Sequence, residues 1–326
     1  MRLSLLSRMQ AWLLNFIDLQ LFLTCVSLPI LIGWGIPLSA ASLVGNLIFT
    51  PFLTAFLLLA SIIFFCELLA IPQGIVIYLL EKVSSAWLFC MQFGQHDWLF
   101  GFPSLPPALL LVLLIVPFLI ICSRHITQQS RRIGFFLLFI SSLYCASHLW
   151  QTRKNSSFLI QSGRGKWLGL HAHNQIILID NGATSSIKAP SSTIDYTLIP
   201  QLIKETGSFA IDHLIITKPG KATFDTINYL LRKATVKNLY IAWWEGKPSK
   251  HFWRNFFTFK ETMKQVDCAC HVIKNRPVNI LLAEGEKIEI IAGQKMQNSS
   301  KEISYPALII RHIIDNTADT LYDASK

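Results

Sequence analysis

Ile211-Asp-His-Leu-Ile-Ile-Thr217 is a short apolar run with β-branched residues at four of its seven positions. Its length and branching read as a buried strand. Upstream, Leu198 to Thr206 reads as a helix closed by Gly207. Before that helix, Gln175 to Asp180 is a second apolar strand running into an Asn181-Gly182 turn. Phe158 to Leu170 reads as extended structure broken by glycines at 163, 165 and 169. Downstream, Thr226 to Ala234 reads as a helix and Val236 to Trp243 as another strand. Strands that alternate with helices predict a layered α/β domain, assigned to residues 151–326.

The rest of the chain is different in kind. Of 326 residues, 52% are hydrophobic and 15% charged, with a mean hydropathy of +0.44. A soluble domain carries about 25% charged residues. Residues 1–150 hold six basic and four acidic residues, whereas 151–326 hold 23 and 15. The formal charge of +10 therefore divides into +2 and +8. These figures exclude a uniform soluble enzyme, a disordered chain, a collagen and a disulfide scaffold.

Residues 19–37, 41–66, 105–122 and 133–150 are apolar runs of spanning character, and 68–93 is a fifth that carries Glu81 and Lys82. A helical membrane domain of four or five spans is expected over 1–150. The apolar runs extend far past the length of a cleavable signal peptide. Arg2 and Arg8 precede the first run, and Arg124, Arg131 and Arg132 flank the loop before the last. With five spans, both basic regions face the cytoplasm and the α/β domain lies outside. With 68–93 only at the surface, they fall on opposite sides. Pro29, Pro37, Pro51, Pro72 and Pro117 sit within or beside the runs, where each removes a backbone donor. They mark either a conduit lined by broken helices or the ordinary frequency of proline in membrane helices. Asn46 either lines a path or hydrogen-bonds a neighbouring helix.

The stretch Pro29-Ile-Leu-Ile-Gly-Trp-Gly-Ile-Pro-Leu-Ser-Ala-Ala-Ser-Leu-Val-Gly-Asn-Leu-Ile-Phe-Thr-Pro51 resembles the competence domain of ComEC-type DNA-uptake proteins. Asn46, Leu47 and Pro51 fit that family's N-L-x-x-x-P segment. In the second half, Ile177-Leu-Ile-Asp-Asn-Gly182, Leu198-Ile-Pro-Gln-Leu-Ile-Lys-Glu-Thr-Gly207 and Ile211–Thr217 resemble three consecutive blocks of a metallo-β-lactamase-like domain. ComEC proteins pair these two domains. The resemblance covers roughly 15–322 and thins beyond residue 250. It implies an inner-membrane component of DNA uptake with its α/β domain on the outer side. Pro29, Asn46 and Pro51 would then belong to the translocation path.

After the third block the resemblance expects H-x-D-x-D-H, whose side chains hold divalent metals that activate water. This chain reads Thr217-Lys-Pro-Gly-Lys-Ala-Thr223. Lys218 stands at the first His, Gly220 and Ala222 at the Asp positions, and Thr223 at the last His. An ammonium has no lone pair for a metal. The expectation is an incomplete, degenerate domain with no catalysis and no cofactor, in which Leu321-Tyr-Asp323 is the remnant of a later strand. His171-Ala-His173 reads as a solvated turn, Cys268-Ala-Cys270 as a free thiol pair, and His213 and His312 as structural.

The basic surplus has three readings. Lys218 and Lys221 in the emptied loop, and Lys247, Lys250, Trp253 and Arg254 in an aromatic–basic stretch, suit single-stranded DNA. They equally suit membrane lipid, or no ligand. The alternative to a DNA-uptake component is a membrane-anchored basic interaction module without transport, or a decaying gene product. A partner supplying the family's N-terminal region is also implied by the resemblance.

Overall fold

The structure, a computed structural model, describes residues 5–39, 41–91, 99–123, 129–152, 155–162, 165–182, 184, 189–274, 276–283, 286–297, 303–314 and 317–323. Arg2, Arg124 and Gly163 lie outside these residues. The chain divides into two compact units, one helical and one α/β. The helical unit comprises Met1–Leu31, Pro37–Phe100 and Leu105–Leu143; the α/β unit takes Ile32–Ile36, Gly101–Ser104 and Tyr144–Lys326.

Helices α1 (Leu5–Trp34), α2 (Ala41–Leu68), α3 (Gly74–Met91), α4 (Pro107–Cys122) and α5 (Gln129–Thr152) follow the apolar runs. Among the described residues, three segments are long and apolar enough to cross a membrane: Gln10–Trp34, Phe49–Leu68 and Gln129–Leu149. Of the four or five spans expected from sequence, three meet that length and composition among the described residues. Helix α4 has 16 residues, because it starts at Pro107 rather than Leu105. Proline favours the first turn of a helix, where its missing N–H is not needed. At 1.5 Å per residue α4 is about 24 Å long, short of the roughly 30 Å hydrocarbon core. Helix α3 exposes both Glu81 and Lys82 and falls outside the spanning set.

The helical unit is dressed like a lipid-facing one. Leu57, Leu58, Phe64, Phe65 and Leu68 of α2 are all more than half exposed. So large a set of outward apolar side chains is unfavourable against water and favourable against acyl chains. Inside, Leu21, Cys25, Ile120 and Phe136 form a small apolar cluster. Two short strands, β1 (Leu38–Ser39) and β2 (Leu99–Phe100), pair antiparallel, and polar side chains join the helices. Asp18 of α1 pairs with Arg132 of α5 at 3.6 Å, and Gln129 donates to Asn15.

The α/β unit is built on two sheets. The first has six strands in the order β3-β4-β5-β6-β7-β9. They are β3 (Ser156–Ser162), β4 (Gly165–Ala172), β5 (Gln175–Asn181), β6 (Ala210–Ile216), β7 (Thr235–Ala242) and β9 (Ala269–Ile273). Strands β3, β4 and β5 pair antiparallel, whereas β5, β6, β7 and β9 run parallel. The parallel strands need crossovers. The first holds α6 (Pro190–Thr193), a π turn (Ile194–Leu198) and α7 (Ile199–Thr206). The others hold α8 (Lys221–Lys233) and α9 (Lys250–Gln265).

The second sheet is antiparallel, with order β10-β11-β12-β13: Val278–Ala283, Glu286–Gln297, Ile303–Ile314 and Thr317–Asp323. The two-residue strand β8 (Glu245–Gly246) pairs with β12. Leu321 to Asp323, expected as a strand remnant, is the end of β13.

One apolar core joins both sheets. It runs from Ile177, Ile179, Leu214 and Ile216 of the first to Ile288, Ile290, Leu308 and Ile310 of the second. Helix α7 ends at Gly207, whose φ of 69° is the left-handed cap that glycine adopts without steric cost. Gly169 has a different reason. It lies opposite Phe158, and a Cβ there would stand 2.1 Å from the ring. The phenyl group covers the glycine and fills the space a side chain would take.

Candidate functional site

The Thr217–Thr223 turn, where the sequence resemblance expects metal ligands, sits where β6 ends beside β5. In the parallel register Asp180 is opposite Ile216, so the β5 carboxylate lies next to the start of the Thr217–Thr223 turn. Asp180 is fully buried, as are Thr184, Thr217 and Thr223. Thr184 donates to Asp180 through its amide at 3.2 Å and through its hydroxyl. The Thr217 hydroxyl donates to the Asp180 carbonyl at 2.5 Å. The Thr223 hydroxyl donates to the Lys218 carbonyl at 2.9 Å and lies 3.3 Å from that of Thr184. A hydroxyl bonded in this way satisfies buried groups that would otherwise be costly.

The Lys218 side chain reaches the turn at Gly182. Its Nζ lies 3.2 Å from where a Cβ would stand on Gly182, the turn glycine with φ of 68°. Any larger residue at 182 would meet both that backbone strain and the lysine. The residues at the positions where the sequence resemblance expects ligands do not fit a metal. Lys218 brings a cation, Gly220 and Ala222 bring no donor, and the Thr223 hydroxyl is already committed. Among the described residues, no group of three His, Cys, Asp or Glu side chains could hold a metal ion.

Helix α8 corrects the expected loop. Lys221, Ala222 and Thr223 form its first turn, whereas the sequence reading starts the helix at Thr226. Gly220 precedes the helix with an extended backbone and no side-chain cap, and the first turn has no acidic residue. The usual start signals are therefore missing. Lys221 at the positive end of the helix dipole is locally unfavourable. Asp225, one turn on, offsets it: both Lys221 and Arg254 act on its carboxyl. Partial burial outweighs their pull and raises its pKa above the ordinary value.

The aromatic–basic stretch divides into two parts. Trp243 and Trp244 follow β7, stacked with ring centroids 5.3 Å apart, and Trp244 is buried. Lys274 Nζ lies 4.5 Å from the Trp243 ring centroid. Lys247 is exposed. Lys250, Trp253 and Arg254 belong to α9, whose N-cap Ser249 accepts from the Phe252 amide. Phe252 and Phe259 turn inward against Phe224 of α8, whereas Lys250, Trp253 and Arg254 are exposed.

In the helical unit, Pro29 lies inside α1 and Pro51 inside α2. Asn46 Nδ2 donates to Gln20 Oε1 of α1 at 2.9 Å. Of the two readings left open for Asn46, the neighbouring-helix bond is the one observed.

Comparison with protein-family models finds no family that matches this chain, and comparison with curated proteins finds no match either.

One cluster has no signal in the sequence. Glu286 of β11, nearly buried, is held between His173 Nε2 and His312 Nε2, each at 2.6 Å. The turn His173 follows the end of β4, 113 residues from Glu286 in the chain. The solvated turn expected for His171–His173 holds at His173, which is exposed in the turn after β4, but not at His171. His171 is 2% exposed in β4, and His173 is tied to a carboxylate of the second sheet. Burial alone would raise the Glu286 pKa. Hydrogen bonds from His312 and His173, with their charge, outweigh it and hold the carboxyl below its ordinary value. A depressed carboxyl contributes stability above its unfolded pKa and loses it as pH falls through the folded one. Denaturant unfolding should therefore show stability falling below the ordinary carboxylate range, with a flatter acid limb for Glu286→Gln. Identical limbs would contradict this role.

The thiols are free. Burial, with Cys270 beside it, pushes Cys268 up to about 11. That thiol is mostly protonated near neutral pH and a poor nucleophile.

Proposed function

We propose that this protein is a membrane-anchored, non-hydrolytic component of DNA uptake, built like ComEC-type proteins. Its metallo-β-lactamase-like site would hold a single strand rather than cut it. The observation that carries the reading is the turn after β6. Lys218 stands there at the first expected ligand position and Lys221 between the two expected Asp positions, in a turn whose neighbouring hydroxyl cluster ties up Asp180. Lysines at that point attract a phosphodiester, and without a bound metal they offer no hydroxide to attack it.

The wider architecture supports the same reading. Helices of membrane length are joined to a two-sheet α/β unit whose strand order places β5 and β6 side by side. The protein would sit in the plasma (inner) membrane with the α/β unit on the outer side. Pro29 and Pro51 would lie along the strand's path.

The full chain in detergent or lipid discs, mixed with a labelled single strand and excess manganese or zinc, tests this reading. The expected result is a bound strand recovered at full length. Metal-dependent turnover, or no binding at low salt, would overturn it.

A further inference from the structure

We propose that the outer face of α9 docks on an anionic phospholipid surface. The helix has two unlike sides. Phe252, Phe259 and Met263 are buried in the core of the α/β unit. On the opposite side Lys250, Trp253, Arg254 and Phe257 recur at three- and four-residue steps, which places them on one stripe. Trp253 is 39% exposed and Phe257 55% exposed. Their rings stack on each other, with centroids 5.8 Å apart and planes 28° from parallel. Two adjoining exposed aromatics are costly against water.

The surrounding charge identifies what covers them. Lys250, His251, Arg254 and Lys260 are exposed on α9, and Lys247 precedes it. Acidic groups near this region are Glu261 of α9, Glu245 of β8 ahead of Lys247, and Asp225 of α8, the last already engaged by Lys221 and Arg254. Rings flanked by long cationic side chains suit the headgroup layer. There the rings enter the acyl boundary and the cations meet phosphates.

A lipid surface fits better than nucleic acid at this face. Trp253 and Phe257 already stack on each other, so no base can enter between them, and both lie on a convex helix surface. The bilayer is also covalently close. Segment Gln129–Leu149 of α5 is long and apolar enough to span, and β3 begins at Ser156, four positions after α5 ends at Thr152. Tethering of that kind raises the effective concentration of the surface without any new contact. The inference does not depend on DNA binding at Lys218 and Lys221.

The test uses the full chain in lipid discs with brominated acyl chains. The emission of wild type minus Trp253→Phe isolates residue 253 from the other tryptophans. In phosphatidylglycerol discs that difference should be quenched by about twofold or more relative to phosphatidylcholine discs. Lys250→Glu should weaken the docking equilibrium by about fivefold per cation lost, before repulsion is counted. Phe257→Ser should reduce quenching without changing the fold of the unit. Equal quenching in both lipids would overturn the proposal. So would a Trp253 signal that responds to an added single strand and not to the lipid.

Discussion

Replacing Lys218 and Lys221 together by glutamate should weaken single-stranded DNA binding by about 10²-fold at about 50 mM salt. Each phosphate contact on a single strand contributes a slope of about 0.7 in log affinity against log salt. Losing two contacts removes roughly one and a half units of slope, and the new carboxylates add repulsion. The fold should survive the change. Thr223 bonds to the Lys218 carbonyl, which the substitution keeps, and Lys218 reaches over Gly182 only with its side chain. At position 221 a glutamate suits the helix N-terminus better than lysine does, although it then faces Asp225 without the present attraction. Anisotropy titrations at several salt concentrations provide the readout. An affinity and slope equal to wild type would show that the strand, if bound, is held elsewhere.

The second large effect concerns the support under that turn. Phe224→Ala should destabilise the α/β unit by about 3–5 kcal/mol. Phe224 is fully buried in the first turns of α8. Its ring meets Phe252 at 5.2 Å, Phe256 at 5.4 Å and Phe259 at 5.2 Å, all from α9, and Trp244 at 6.0 Å. Three of these contacts are edge-to-face, the geometry that adds to simple area burial. Truncation leaves a cavity between two helices whose backbones cannot both close it. Phe224→Leu should cost less, because it keeps much of the volume. Urea unfolding of the full chain, followed by tryptophan emission, reads the difference. A loss below about 1 kcal/mol would mean that α8 and α9 do not depend on this ring.

The two effects meet in α8, whose first turn carries Lys221 and Thr223 and whose next residue is Phe224. The candidate site is held in place by the aromatic contact between α8 and α9. The same α9 presents Trp253 and Phe257 on its other face.

Much of the α/β unit was legible because its elements announce themselves locally. The apolar runs of β5, β6 and β7 and the glycine closing α7 are signals within a few residues. The start of α8 was not legible, because Gly220-Lys-Ala-Thr has neither a cap nor an acidic first turn. In the helical unit, apolar runs located the helices. Their lengths were set by details such as the Pro106-Pro107 start of α4 and the extension of α1 back to Leu5.

Contacts between distant residues were out of reach. Nothing near His173 or His312 indicates that both bind Glu286, and nothing near Asp18 indicates Arg132. At the site, composition identified the lysines and their place in the turn. It could not show that Thr184, Thr217 and Thr223 close around Asp180, since those hydroxyls come from three separate segments.

The central claim is that this protein takes part in moving a DNA strand across the membrane. The direct measurement is the amount of fluorescently labelled DNA that reaches the cytoplasm after the gene is deleted and then restored. Entry should collapse on deletion and return with the wild-type chain, but not with Lys218→Glu, Lys221→Glu. Undiminished entry in the deleted strain would contradict the account.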